Sequence, residues 1–387
     1  MKTYEQLDIS DLLNKTKEYE SEIKGIELIN EGDDLDEIEK PYDASTIRIE
    51  NKVFSVFQVN TWIQNGSIIL MPDFQRNNIW SRKQKSLLIE SLMLRITLPA
   101  FYLSEDENGV KSVIDGLQRL SAISEYMNDE YPLENLQYLT VEAEGKCFSE
   151  LHSKYKRRIE DGQLFMNILD ERCPEQVKYD VFRRVNTGGI PLNDQEIRNV
   201  LLNNNVRALL KNMANAEEFK TATRHLINDA RMDAQELCLR YIAFLNIYDS
   251  NRQMIVGNHT IHTANLLDEC GLKLNEYDEN QLDDILIKFK ESMLKCNALL
   301  GNHAFSKKPG KIINKVLFTS WSVTMTFCEI SLDDLLNHQN IAKELLDEKL
   351  ADNKFNASIT SSTGSRQNIQ RQYQMINDIL RRLFYDK

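Results

Sequence analysis

Three stretches of the chain bring together residue types able to hold and activate a phosphate. In Ile114-Asp115-Gly116-Leu117-Gln118-Arg119 a short β-rich run ends at a glycine, and Leu117, Leu120, Ile123 and Met127 then recur at helical spacing. A helix start exposes unsatisfied backbone N–H groups at the positive end of its dipole, and a glycine ahead of it leaves room for a phosphate. Arg119 adds a permanent cation able to grip two phosphate oxygens, Gln118 can orient a water, and Asp115 can hold Mg²⁺ or a proton. The plainer alternative has Asp115 capping the helix and Arg119 pairing on its surface.

The second stretch, Asp73-Phe74-Gln75-Arg76, places another Gln-Arg pair beside Phe74 and Trp80. It offers a base-stacking face and a further phosphate contact, or simply core aromatics. The third, Asn186-Thr187-Gly188-Gly189, is rich in residues that tolerate positive φ and reads either as a ligand-lining loop or as an ordinary turn; it is not a Walker A sequence. A metal-dependent nuclease centre is not expected. Asn258-His259-Thr260-Ile261-His262 has two histidines at a metal-compatible spacing, but no further ligand cluster accompanies them, and His303 and His338 are isolated.

The elements that must position these residues are legible from period and punctuation. Ser81 and Gln84 have capping-box spacing ahead of a helix carrying Leu87, Leu88, Leu92 and Met93, with Pro99 as its stop. Phe101-Tyr102-Leu103 and Val110 to Ile114 flank Asn108-Gly109 and predict a hairpin. Val177, Val181, Phe182 and Val185 predict a helix ending at the Asn186 loop, and Asn193 with Glu196 opens another. Beyond Leu201 helical stripes dominate, in Ala234 to Tyr248, Gln281 to Leu299, Ile312 to Phe327 and Ile369 to Phe384.

Charge and cysteine usage narrow the class. Lys and Arg number 47 against 59 Asp and Glu, net −12, but residues 1–48 hold 14 acids and 6 bases and so carry −8 of it. Residues 1–48 therefore read as a solvated acidic arm or peripheral helix, and the body keeps room for a polyanion-binding surface. Candidate DNA contacts are Arg76, Arg82, Lys83 and Lys85, then Lys154-Tyr155-Lys156-Arg157-Arg158, Arg183-Arg184, and Lys307-Lys308 with Lys311 and Lys315, although each cluster is also what a solvated face looks like. The six cysteines never come closer than 26 positions, which excludes Cys-x-x-Cys redox or zinc pairs and predicts reduced core thiols. No apolar run approaches a membrane span and the opening residues lack a secretion-signal pattern, so a cytoplasmic protein is expected.

Taken together and in order, the three stretches resemble the N-terminal domain family of GmrSD-type restriction endonucleases, whose fold is ParB/sulfiredoxin-like. The resemblance rests on Pro72-Asp73-Phe74-Gln75-Arg76 with Trp80 and Gln84-Lys85, on Ile114 to Leu120, and on Phe182 to Gly189 with Pro191-Leu192 and Gln195-Glu196-Ile197-Arg198. It covers about residues 55 to 205. The family's middle motif reads Asp-Gly-Gln-Gln-Arg, so Leu117 stands in place of its first Gln and takes one polar group out of the expected site.

With the acidic arm read from charge over 1–48 and the helical stripes over 206–387, the resemblance makes the chain an α+β protein whose residues 49–205 form a ParB-like nucleotide- and DNA-sensing domain. It implies a nucleoside triphosphate as substrate or ligand, with Mg²⁺, bound by Gln75, Arg76, Gly116, Asn186, Gly188 and Gly189 and hydrolysed through Asp115, Gln118 and Arg119. DNA, plain or modified, is the expected partner through Lys83, Lys85, Lys156, Arg157 and Arg158, together with a separate nuclease or effector protein; a homo-oligomer stays open and no membrane is involved. A non-hydrolysing DNA-binding adaptor is the first alternative, and a self-sufficient nuclease the second.

Overall fold

The computed structural model of the chain describes residues 21–27, 48–70, 80–174, 177–178, 181, 193–256 and 261–385. These fall into two compact units, one holding residues 48–200 and the other residues 21–27 with 201–385. The first is mixed α/β and the second mostly helical.

The α/β unit is built on a five-stranded mixed sheet in the order β1-β5-β3-β4-β2, from β1 (Ile49–Ser55), β2 (Ile68–Ile69), β3 (Phe101–Glu105), β4 (Lys111–Asp115) and β5 (Gln163–Leu169). β1 runs antiparallel to β5, with Ile49 opposite Leu169 and Ser55 opposite Gln163, whereas β3 lies parallel to β5. The expected hairpin forms: β3 and β4 pair antiparallel around a loop in which Gly109 has φ 76°. Along β5, Leu164, Met166 and Ile168 are buried while Gln163 and Phe165 are exposed, the period-2 signature of a sheet that buries one face.

That face is covered by α1 (Val56–Gln64), α2 (Arg82–Met93), α3 (Leu117–Met127) and α4 (Ser153–Glu160). Val56, Val59, Ile89, Met93, Phe101, Leu103, Leu120, Ile123 and Met166 form one contiguous core with them. Ser81 and Gln84 make the expected reciprocal capping box at the start of α2. The helix ends well before Pro99, at Met93, and Arg95 carries the turn at φ 63°. A buried carboxylate organises the next segment: Glu90, 2% exposed, accepts the backbone N–H groups of Gln137, Tyr138 and Leu139. Each donor would otherwise be costly to bury.

In the helical unit, α5 (Asp233–Asn246), α6 (Glu279–Leu300), α7 (Lys315–Thr326) and α8 (Arg366–Phe384) realise the four sequence stripes. Their buried faces bring Leu237, Tyr241, Phe289, Met293, Trp321, Ile376 and Ile379 into one core. The solvated-arm expectation fails for residues 21–27. Ile26 is 1% exposed and forms a parallel bridge with Ile313, Glu27 reaches Lys307 and Asn314, and Lys24 pairs with Asp233 at 3.3 Å. A single apolar residue among acids, Ile26, joins the helical core here while Ile23 stays exposed, which net charge does not register. All six cysteines are free, four of them buried, as their spacing suggested.

Candidate functional site

The Asp115 motif lies where β4 hands over to α3, and its backbone is set by Gly116 at φ 99°, a left-handed conformation costly for any residue with a Cβ. No side chain caps α3. A Cβ on Gly116 would stand 2.3 Å from Cδ1 of Phe101. The glycine therefore serves the packing of β3 against the turn as well as the turn itself, a constraint that is not visible in the motif.

Arg119 is held by four contacts. Its Nη2 donates to Asp115 Oδ2 at 2.9 Å and to the Ala100 carbonyl at 3.2 Å, its Nη1 donates to the Pro99 carbonyl, and the guanidinium lies 4.3 Å from the Phe101 ring centroid. The pair is largely enclosed, with Arg119 13% and Asp115 30% exposed. Burial raises the Asp115 carboxyl above the ordinary aspartate range against the opposing pull of Arg119 and the Gly116 N–H, and burial likewise lowers the Arg119 guanidinium. Gln118 Oε1 accepts the backbone N–H of Trp80 at 3.3 Å, latching the entry to α2 onto the first turn of α3.

Leu117 is 6% exposed and belongs to the core of the α/β unit. Its position points into the hydrocarbon interior, so a leucine there subtracts no polar group from the surface that Asp115 and Arg119 share. The half-buried Trp80 also packs against that core rather than standing free as a stacking face. Gln75, Arg76, Phe74, Arg183, Arg184, Asn186, Gly188 and Gly189 lie outside the described residues, as do Asn258, His259 and Thr260.

Among the expected DNA contacts, Lys83 and Arg157 are exposed. Lys85 is instead an internal cation, 13% exposed, paired with Glu125 and 5.7 Å from the Tyr131 ring centroid, because α2 turns that face toward α3. Arg82 also lies over Tyr131, at 4.8 Å. Lys156 is tied at 2.5 Å to the Ser149 carbonyl, and Arg158 donates to the Met93 carbonyl at 3.0 Å. His338 donates from Nδ1 to the Asp334 carbonyl and meets Phe384 edge-on, and His303 faces Asp347 at 3.6 Å. Among the described residues no group of three or more His, Cys, Asp or Glu could share a metal ion, and no helix is long and apolar enough to cross a membrane.

Residues 59–203 match the model of the family described as GmrSD restriction endonuclease, N-terminal domain. This segment is similar to the GmrSD N-terminal domain. No curated protein and no solved structure matches the chain. The matched span runs from α1 through the sheet to the helix Asp194–Leu201, and so contains all three motif stretches. At its far end the matched segment keeps another reciprocal capping box, Asn193 N–H to Glu196 at 2.7 Å and Glu196 N–H to Asn193 at 2.8 Å. Gln195, Glu196, Arg198 and Asn199 on this helix are all buried, an unusual density of polar side chains that the helical period alone did not single out. Sequence reasoning missed Glu90, since a glutamate inside a lysine-bearing helix reads as solvent-facing.

Proposed function

We propose that the protein is a nucleotide-dependent, DNA-sensing or regulatory component of a prokaryotic restriction or phage-defence system, and that a nucleoside triphosphate is bound and hydrolysed at the turn carrying Asp115, Gln118 and Arg119. The observation that supports it most is a carboxylate and a guanidinium joined at 2.9 Å beside a helix start without a side-chain cap, with the Gln118 amide on the same first turn. Preorganised groups of this kind lose little on meeting developing charge.

Three of Arg119's five N–H groups are engaged, leaving two to draw toward a phosphate oxygen. Gln118 sits on the first turn of α3, where its amide can orient a water. A single carboxylate fits a Mg²⁺ that arrives with the nucleotide, since that ion takes most of its oxygens from phosphate and water. Phosphoanhydride cleavage releases a stable phosphate, so positioning and charge stabilisation suffice. DNA cleavage in the cell then falls to a separate nuclease or effector.

The deciding measurement is phosphate release by the full chain with each triphosphate and Mg²⁺, with and without DNA, beside an Asp115→Asn variant. Turnover lost in that variant is expected. Nucleotide binding without any turnover would instead favour a non-hydrolysing adaptor, a reading that the closed Asp115–Arg119 pair favours. Absence of nucleotide binding would overturn both.

A further inference from the structure

An open concavity of about 410 Å³ lies against α4, lined by Arg95, Ser153, Lys154, Arg157, Arg158 and Asp161. Four cations face one carboxylate, a local charge of +3 in a chain whose total is −12. Arg95, Lys154 and Arg157 are exposed, and none of their charged heads has an ion pair or hydrogen bond among the described residues. Like charges gathered this way repel one another unless an anion relieves them.

The groove is also built rather than incidental. Arg158 is fixed by its bond to the Met93 carbonyl, one of the carbonyls that the end of α2 leaves without a helical partner. Tyr155 sits between two of the cations, its ring centroid 5.6 Å from the Arg158 guanidinium and 5.5 Å from Lys154 Nζ. Arg95 enters from the turn after α2, held by a left-handed backbone at φ 63°. Cations therefore arrive from two elements, α4 and the α2 turn, and none of the lining residues is aromatic. A polar, open groove of this kind is unlike the apolar pockets that enclose small ligands. It suits a row of phosphates read by charge and spacing, without base recognition.

We propose that this groove receives the phosphodiester backbone of duplex DNA, with Arg95, Lys154, Arg157 and Arg158 as its contacts. The proposal rests on the reading of DNA as a partner; it keeps Lys154, Arg157 and Arg158 of the basic run, drops Lys85 and Lys156, and adds Arg95 from the turn after α2.

The test is fluorescence anisotropy of a labelled duplex of about 20 base pairs against the full chain, over roughly 50 to 200 mM salt. The Arg95→Gln/Arg157→Gln variant should bind roughly tenfold or more weakly, with the slope of log affinity against log salt shallower by about 2. Asp161→Asn should bind several-fold more tightly, a gain that damage to the fold does not produce. DNA binding by the parent chain with unchanged affinity and slope in these variants would overturn the groove and leave the partner standing. Failure of the parent chain to bind any duplex would overturn both. Equal affinity for heparin, lost in the same variants, would overturn the assignment to DNA in favour of a general polyanion site.

Discussion

Replacing Arg119 separates a residue that works on a ligand from one that also holds the fold. In Arg119→Ala the chain loses the bond to Asp115, two bonds to the Pro99 and Ala100 carbonyls and the contact with the Phe101 ring. Charge-assisted hydrogen bonds contribute about 1.5–3 kcal/mol each and a cation over a ring about 0.5–1 kcal/mol. Recovered hydration of the guanidinium and access of water to the freed carbonyls offset much of that sum, leaving a loss of about 3 kcal/mol. Arg119→Lys keeps one charge for Asp115 but not the planar fork that serves two carbonyls, so about half the loss should remain. Hydrogen exchange of the α3 amides is the suitable assay, because it reports the opening of this unit separately from the helical one. A cycle with Asp115→Asn should show coupling of at least about 1 kcal/mol. If α3 protection in Arg119→Ala equals that of the parent while nucleotide affinity collapses, the guanidinium acts on the ligand alone and the structural part of this reasoning is wrong.

Gly116→Ala should destabilise the same unit by more than about 2 kcal/mol, since it combines a φ of 99° with a Cβ 2.3 Å from Phe101; a thermal melt unchanged from the parent would contradict that packing. Leu117→Gln, which restores the family's motif, is expected to lower stability by about 2 kcal/mol because it buries an amide in the core, and a more stable variant would place position 117 at the site after all. Glu90→Ala should cost about 3 kcal/mol and deprotect the amides of residues 137–139, measurable by exchange at those three positions. Because burial raises the Asp115 carboxyl, its contribution is fully present below the ordinary aspartate range and is lost as pH rises through the raised value. The stability of the parent relative to Asp115→Asn should therefore shrink as pH rises above the ordinary aspartate value, and a difference that grows instead would mean that the attraction of Arg119 outweighs burial.

Elements whose causes are local were legible in the sequence. The capping boxes at Ser81 and Asn193, the Asn108-Gly109 hairpin and the four long helical stripes each depend on side chains a few residues apart, and each formed. β1 and β5 were not legible as partners, because Phe54 meets Leu164 only through a register fixed by the buried face, across more than 100 positions. The site shows the same division. The glycine turn and the helix behind it follow from the motif, but whether a charged side chain faces solvent depends on which helix is packed over it. Lys85 and Arg157 stand in equally basic stretches. One is turned toward Glu125 and the other toward an open groove, so it is the neighbouring element, and not the run of lysines and arginines, that decides which cations are left to meet an anion.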